Sequence, residues 1–593
     1  MTRRLALPTV RVVCLWFLLG IPCLGPIWAQ SSAQDPAQWV AADAIAFLEL
    51  NATDRILDHA YSPEVKALAE AIPGLKKQLK EKSPRELQLA AEYVARSVGM
   101  SATRLARELT AGGITASFEA PDQFLVVVKA RDADILRKAH DTLLELARQD
   151  ARQKKKPDPV KTTDHEEITI YQLGDQEAHI LLDNALVLSN KPALVKRVID
   201  RVKGKNAELA TLADNPAWKA RKAARAGDSA GWAFARLDLV RKLDPKFMKG
   251  KPQDEPGAKF LLGPWFETLQ KAEWASFDLV ADADRLSLEL AMPQPESATQ
   301  GPLAKYRPAA GQSAAPLVNP PGTLLSASLW RDFSAVWEVR NQFLPPEALQ
   351  GFAQLDSFAG QFFGGRDFGT GVLGALGADW RVVVIQQDYE HMQPAPDVKF
   401  PGVALLLPLK PEDEEFPVRL KAAFQSFVGL VNLGQAQQKA PPLMLGSEVF
   451  EGVEISKGSY LPPSAAEAGK PIDPRYNLSP CAAQVNDTFI LASSVDAAHA
   501  VIRALKSPAA AKIPVDNYTL LAQANGAEAA KLVELNTQSL VTRNMLEKGN
   551  DKQAADAEIT ALAKALHHIE NATISVRDSG PEMLVRLNVR LKK

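Results

Sequence analysis

Asn184-Ala-Leu-Val-Leu-Ser-Asn190 leads into an apolar-periodic segment at residues 191–202, and Asp487-Thr-Phe-Ile-Leu-Ala-Ser493 leads into residues 494–505 in the same way. At one constant offset the two apolar runs coincide, and Val198-Ile199 falls on Val501-Ile502. Each segment predicts a β-strand, a short polar turn and an amphipathic helix, because the apolar residues after the turn recur with a helical period of about 3.6.

A second internal match lies further along each half of the sequence. Ser276-Phe-Asp-Leu279 and Leu286-Ser-Leu-Glu-Leu290 flank a polar turn, and Thr573-Ile-Ser-Val576 is followed by Met583, Val585 and Leu587 around a turn with Gly580. Alternation of apolar and polar residues with a period of two is typical of strands that have one buried face. Both segments therefore predict antiparallel hairpins.

A third pattern is a short alternating strand that runs into a helix, and it opens four segments. These are Phe47-Leu-Glu-Leu-Asn51, Ala235-Arg-Leu-Asp-Leu239, Ser326-Ala-Ser-Leu-Trp330 and Leu532-Val-Glu-Leu-Asn536. Three matches in the same order predict an internal duplication. Frequent hairpins together with packed amphipathic helices predict an α+β fold with mostly antiparallel sheet.

The chain is predicted to divide into a leader, two halves and a linker. Residues 1–29 resemble a secretory signal, with Arg3 and Arg4, a short apolar core at residues 12–19 and a small residue at Ala29. Residues 30–292 form the first repeat half, residues 293–322 a Pro/Ala/Gly-rich linker, and residues 323–593 the second half. The leader predicts export to the periplasm, envelope or exterior, although retention as an anchor or a buried helix stays open.

Composition excludes several classes of protein. The 593 residues carry 69 Lys+Arg against 70 Asp+Glu, which excludes a basic nucleic-acid binder and a highly charged disordered chain. Beyond the leader, no apolar run reaches the roughly 18–20 residues that span a bilayer. Cys14 and Cys23 lie in the leader, so Cys481 is the one cysteine of the mature chain and is predicted to be a buried free thiol.

One segment of the second half resembles a known family. It comprises Asp367-Phe368, Val372-Leu373, Ala375-Leu376-Gly377, Asp379 and Trp380-Arg-Val-Val-Val-Ile385. An acidic-aromatic start, a short helix that ends in Leu-Gly and a following strand resemble a recurring feature of a bacterial family of large exported proteins known as a domain of unknown function. Ala44-Ile-Ala-Phe-Leu-Glu-Leu50 is similar to the strand that often opens those proteins. The resemblance implies a fold and export, and it transfers no catalytic residue.

The chemical motifs favour ordinary structural roles. Gly369-Thr-Gly-Val-Leu-Gly374 satisfies a dinucleotide-binding pattern, but a loop precedes it, so a turn before a buried strand is predicted. Asp164-His-Glu-Glu167 is ligand-like but fits a solvated loop, and His567-His568 fit a helix C-terminus. The basic runs at residues 152–156 and 219–225 fit a solvated linker and a helical stretch. No catalytic, cofactor-binding or metal-binding residue is assigned.

The sequence therefore predicts an exported, non-catalytic binding or scaffold protein that needs no cofactor. Its partner would be an envelope or extracellular macromolecule rather than a nucleic acid. Two alternatives stay open: a hydrolase-type enzyme whose residues converge only in three dimensions, and a carrier for an apolar ligand. The carrier predicts a large closed cavity lined by Leu, Val and Phe.

Overall fold

The computed structural model describes residues 35–60, 85–173, 177–225, 227, 229–247, 255–282, 284–392, 395–438, 440–461, 472–507, 517–578 and 580–592. The predicted leader at residues 1–29 lies outside them. The described residues up to 245, together with 273–290, form one compact unit. Those of 246–272 and 291–593 form a second unit.

The first unit is built on an antiparallel sheet. Its strands are β1 (Ala46–Leu50), β2 (Ile114–Ala120), β3 (Gln123–Lys129), β4 (Val160–His165), β5 (Ile168–Leu173), β6 (Glu177–Leu182), β7 (Ala185–Ser189), β8 (Gly231–Ala235), β9 (Ala275–Ala281) and β10 (Arg285–Pro293), the last belonging to this unit as far as Leu290. The order across the sheet is β4-β5-β6-β7-β3-β2-β1-β8-β9-β10.

Helices of the first unit pack at several places on its sheet. They are α1 (Thr53–Ala60), α2 (Arg85–Ser97), α3 (Ala102–Thr110), α4 (Ala133–Gln153), α5 (Pro192–Val202), α6 (Pro216–Ala223) and α7 (Leu237–Leu243). Helix α5 packs on β6 and β7 through Val195 and Val198, which are fully buried. Val94 of α2, Leu105 of α3 and Leu136 of α4 form a separate core cluster.

The second unit contains another antiparallel sheet. Its strands are β11 (Thr323–Trp330), β12 (Asp379–Ile385), β13 (Gly402–Pro408), β14 (Leu443–Phe450), β15 (Val453–Tyr460), β16 (Cys481–Val485), β17 (Thr488–Ala492), β18 (Leu520–Asn525), β19 (Ile569–Arg577) and β20 (Glu582–Leu591). The order is β14-β15-β16-β17-β13-β12-β11-β18-β19-β20.

Helices of the second unit pack at several places on its sheet. They are α8 (Pro256–Lys271), α9 (Glu296–Thr299), α10 (Phe333–Val339), α11 (Pro346–Phe362), α12 (Phe416–Gln437), α13 (Val495–Lys506), α14 (Gly526–Leu535), α15 (Thr537–Lys548) and α16 (Lys552–His568). Helix α13 buries Val501 and Ile502 against β13, β16 and β17, and Ser494 caps its first turn by accepting from the Ala497 N–H. Helix α14 packs on β11, β18 and β19.

The predicted α+β class is confirmed, with antiparallel pairing throughout both strand orders. Strand by strand, the order in the first unit is the same as in the second. The segments matched in the sequence, β7 with α5 and β17 with α13, hold equivalent places in the two orders. Descent of both units from one duplicated ancestor stays a prediction. No helix within the described ranges combines the length and the apolarity needed to cross a membrane.

Three segments differ from the local patterns that the sequence suggested. The predicted strand at residues 235–239 is wrong, because β8 ends at Ala235 and α7 begins at Leu237. The predicted strand at Leu532–Asn536 is wrong, because residues 526–535 form α14. The Asn525 side chain caps the start of α14 by accepting from the Glu528 N–H. The mixture of apolar and polar residues at 532–536 does not reveal this helix in the sequence. The proline-rich residues 293–322 include the short helix α9 and pack into the second unit, where Tyr306 is fully buried.

Candidate functional site

The glycine-rich segment 369–374 forms a tight turn before β12. Residues Phe368–Val372 and Leu373–Ala375 form two short helical turns, and β12 follows at Asp379. A Cβ added at Gly369 would overlap the indole ring of Trp337, and one at Gly371 would lie 2.8 Å from Arg366 Cβ. Packing of neighbouring side chains thus requires these glycines. The predicted turn before a buried strand is confirmed.

The ligand-like cluster at residues 164–167 occupies the turn between β4 and β5, and its side chains point to separate partners. Asp164 accepts from Thr169 Oγ1 at 2.8 Å, and His165 Nε2 lies 2.7 Å from Asp200 Oδ1. Lys205 Nζ lies 2.7 Å from Glu166 and lowers the pKa of that carboxyl group. In the part of the chain that the structure describes, no group of three His, Cys, Asp or Glu side chains is placed to hold a metal.

The basic stretch at residues 219–225 is neutralised by acidic groups of the same unit. The pairs are Lys219 with Asp214 at 3.7 Å, Arg221 with Glu289 at 3.4 Å, Lys222 with Asp35 at 2.5 Å, and Arg225 with Glu49 at 3.4 Å. Arg221 also donates from Nε to Ser276 Oγ at 3.1 Å. These contacts hold α6 against β1, β9 and β10, which explains the clustered positive charge without an anionic ligand.

Cys481 and His567 have structural surroundings. The thiol of Cys481 is buried in β16, and burial raises its pKa to about 12, so it does not form a thiolate near neutral pH. The predicted buried free thiol is confirmed. His567, in the last turn of α16, places Nε2 2.8 Å from Glu534 Oε1 of α14.

A pair of buried histidines was not singled out from the sequence. His140 of α4 and His179 of β6 are both buried, and their Nε2 atoms lie 3.0 Å apart. The ring of Tyr171 in β5 stacks on His179, with centroids 5.4 Å apart. Burial lowers the pKa of His140, and burial together with the neighbouring His140 lowers that of His179 to about 4. The pair is therefore neutral at neutral pH.

A polar cavity of about 280 Å³ opens in the second unit beside the residues that follow β12. Asp388, His391, Tyr460, Tyr476 and Asp496 contribute to its lining. His391 Nδ1 lies 2.8 Å from Asp388 Oδ2, which raises the pKa of His391 and lowers that of Asp388. Both side chains are largely exposed, so this is an ordinary surface ion pair.

The cavity lacks the arrangement of a nucleophile with its base. Ser479 Oγ accepts from the Val495 N–H at 2.9 Å, and Asp496 accepts from the Asp388 N–H at 3.0 Å. These groups are engaged in fixing the start of α13 and the residues after β12. Among the described residues, no hydrogen bond joins His391 to a hydroxyl or thiol group. Nucleophilic catalysis requires such a bond between the base and the nucleophile.

Strands β11, β18 and β19 of the second unit have an unusual distribution of polarity over their two faces. Ser326 and Ser328 of β11 are fully buried, on the face that also carries Gln523 and Thr573. The alternate residues point to the opposite face. On that face Leu325 is 38% exposed and Ile574 is 37% exposed. A sheet with one open face usually turns its polar residues to water, so this arrangement is reversed.

Two cross-strand rows make up this surface, which we call the apolar face; Leu325, Val403, Ile574 and Leu587 are exposed, whereas Leu405 at one end packs against a buried core cluster. In the order β13, β12, β11, β18, β19 and β20, the first row is Val403, Val384, Leu325, Ala524, Ala572 and Val589, and the second is Leu405, Val382, Ala327, Ala522, Ile574 and Leu587. None of these side chains has a charge or a hydrogen-bonding atom. Strands about 4.8 Å apart give a face about 24 Å wide and on the order of 400 Å² in area, a size at which exposed apolar patches are commonly functional.

The first unit differs, because its buried sheet face carries the aromatic side chains of Phe47, Trp232 and Phe234 beside small polar residues. Ser117, Ser276 and Asp278 are buried, whereas Phe118 and Phe277 on the opposite face are exposed. The hairpin predicted for residues 276–290 forms as β9 and β10, which pair with each other. Arg221 contacts Ser276 of β9 and Glu289 of β10 on the sheet face that α6 covers.

A helix surface competes with the apolar face as a place for apolar contacts. Helix α12 exposes Phe427, Leu430 and Leu433, although its other side packs firmly through Phe416 and Phe424. Single exposed apolar side chains are common on proteins. An experiment that locates a bound ligand therefore distinguishes the apolar face from the exposed side of α12.

Comparison with protein-family models gives no match, and comparison with curated proteins gives none either. Among solved structures, the chain is similar to crystal form III of TP0453, with 10% identity and a TM-score of 0.27, over 46% of this chain and 85% of that one. Crystal forms I and IV of TP0453 each give 9% identity and a TM-score of 0.25, over 44% of this chain and 80% and 81% of theirs. Such low TM-scores carry no argument. The resemblance to exported proteins stays a prediction.

Proposed function

We propose that this protein is a non-catalytic binding protein that holds an apolar ligand on the apolar face of its second unit. The observation that carries the proposal is the reversed polarity of the sheet, with Ser326 and Ser328 buried and Leu325 and Ile574 exposed. Exposed apolar area is unfavourable in water, at about 25 cal/mol for each Å². The free energy is therefore lowered when a ligand covers the apolar face.

The apolar face suits a ligand that makes no hydrogen bonds. Interior strands of the sheet already pair their backbone groups with both neighbours, as β18 does with β11 and β19. The side chains offer no donor or acceptor, so affinity can come only from apolar contact. A carrier was expected to enclose its ligand in a closed cavity, whereas the site proposed here is an open sheet face. It is also more specific than a scaffold role.

The place of action that we propose is the periplasm, envelope or exterior. It rests on the signal-like pattern of residues 1–29. An apolar-ligand carrier is useful in such a compartment because lipids and other apolar molecules do not cross water unaided. A hydrolase gains no support from the described cavity, where Ser479 accepts a backbone hydrogen bond and His391 pairs with Asp388.

A charge placed on the apolar face should strongly weaken binding of an uncharged apolar dye. We expect Ile574→Lys to weaken binding of N-phenyl-1-naphthylamine at least tenfold, because an ammonium group in the ligand contact is costly to desolvate. Fluorescence titration measures the dissociation constant. Ile574 is already 37% exposed, so the variant is expected to fold, and circular dichroism checks this.

The matched control is Leu546→Lys. Leu546 of α15 is 81% exposed and lies in the same unit but not on the apolar face. We expect this variant to bind the dye as the wild type does. Equal loss in both variants, or no loss in Ile574→Lys, would remove the apolar face as the binding site.

A further inference from the structure

Four alanines form a depression across the apolar face. Ala327 of β11 pairs with Ala522 of β18, and Ala524 of β18 pairs with Ala572 of β19. Ala522 and Ala524 lie two residues apart on one strand and thus point to the same side. We call this depression the alanine trench.

Larger side chains border the trench on both sides. Leu325 stands beside Ala327 on β11, and Ile574 stands beside Ala572 on β19; both are exposed. Their strands are separated by β18 alone, which places these walls two strand spacings, or about 10 Å, apart across the sheet. The trench runs obliquely between them.

The trench continues at both ends over valine. Val382 of β12 pairs with Ala327, and Val589 of β20 pairs with Ala572. From β12 to β20 the path crosses four strand spacings, which amounts to about 20 Å. Its shape is thus long and narrow.

From this geometry we infer that the ligand of the apolar face is a linear hydrocarbon chain, such as the acyl chain of a lipid, lying in the alanine trench. The inference rests on the proposed function and names the class of its ligand. A narrow path with raised walls matches an unbranched chain better than a compact ring system. The uncharged lining matches a chain of methylene groups, which likewise carries neither charge nor hydrogen-bonding atoms.

The uncharged side chains that line the alanine trench also disfavour a protein partner. Protein–protein interfaces are only slightly more than half apolar in area and contain about one hydrogen bond for every 100–200 Å². The rows through Leu325 and Ile574 offer no side chain that donates or accepts such a bond. A hydrocarbon chain needs none.

The test is a series of saturated fatty acids titrated into the full chain, from decanoate to palmitate, below their micelle concentrations. Each further methylene, half covered by the trench, should tighten binding about twofold. Palmitate should therefore bind tens of times more tightly than decanoate. Adamantane-1-carboxylate, which is compact and has the same headgroup, should bind more weakly than undecanoate, which has the same number of carbon atoms.

Substitutions that fill the alanine trench distinguish the linear-chain inference from the proposed function. We expect Ala522→Leu and Ala524→Leu each to weaken palmitate binding at least tenfold and to leave dye binding within twofold of the wild type. Leu546→Ala serves as the control and should leave both unchanged. Equal affinity along the fatty-acid series, or palmitate binding that survives both leucines, overturns the linear-chain inference while dye binding still supports the apolar face. Failure of the wild type to bind the dye overturns the proposed function itself.

Discussion

Replacing Asp578 with alanine is expected to lower the free energy of unfolding by about 2–5 kcal/mol, because two buried donors lose their charged acceptor and each unsatisfied buried group costs about 1–3 kcal/mol. Asp578 follows β19 and is fully buried. Its Oδ2 accepts from Trp265 Nε1 at 2.6 Å, and Thr519 Oγ1 donates to its Oδ1. The variant leaves these donors without their acceptor.

Arg331 adds an electrostatic contribution without a direct contact to Asp578. This guanidinium is fully buried, donates from Nη1 to the Tyr306 carbonyl oxygen at 2.5 Å, and lies 4.7 Å from the centroid of the Tyr306 ring. Within the described residues, its Nε and Nη2 atoms have no hydrogen-bond partner. Burial lowers the pKa of Arg331 to about 10, and Asp578 counteracts that shift. Without Asp578, the positive charge loses its nearby buried counter-charge.

Urea denaturation followed by circular dichroism measures this difference. Asp556→Ala is the control, because Asp556 is an exposed acid on α16 of the same unit and should change stability by less than about 0.5 kcal/mol. Arg331→Leu combined with Asp578→Ala should be more stable than Asp578→Ala alone, since it removes the uncompensated charge. A double variant that loses the sum of the two single effects would contradict an Arg331–Asp578 coupling.

Acidification should destabilise the first unit through the buried histidine pair. The pKa of His179 is lowered to about 4 in the folded state, whereas an unfolded histidine titrates near 6.5. Because the folded pKa is the lower of the two, the stabilising contribution is complete above about pH 6.5 and is lost as the pH falls toward 4. The full loss is about 3 kcal/mol.

The measurement compares wild type with His179→Gln at pH 7.5 and pH 4.5 by urea denaturation. We expect the stability advantage of the wild type to shrink on acidification, since glutamine does not titrate. His391→Gln is a control of opposite sign: Asp388 raises the pKa of His391, so its contribution grows rather than shrinks as the pH falls. An advantage over His179→Gln that is constant with pH would refute the buried neutral pair.

Local patterns predicted the parts of the fold that depend on neighbouring residues. The strand-turn-helix at residues 184–202 was predictable because Pro192 starts α5 and Leu194, Val195, Val198 and Ile199 all lie on its buried side. The same holds for residues 487–505 around the Ser494 cap. Each of these signals lies within about twenty residues of sequence.

The candidate site depends on contacts between distant residues, which explains why the sequence did not reveal it. Alternation in β9 is visible, but the contact between Ser276 and Arg221, which lies 55 residues away, is not. His140 and His179 are 39 residues apart. The alternation in Ser326-Ala327-Ser328 indicates a strand with two different faces, but the sequence alone does not show that Ser326 and Ser328 lie on the buried one.

The location of a bound chain is the most direct test of the apolar face. Palmitate with a photoreactive diazirine at its methyl end would be bound to the full chain, activated by light and mapped by peptide mass spectrometry. We predict labelled peptides from β11, β18 and β19, around Leu325, Ala522 and Ile574, and loss of label with excess palmitate. Label confined to α12, around Phe427 and Leu433, would contradict the account.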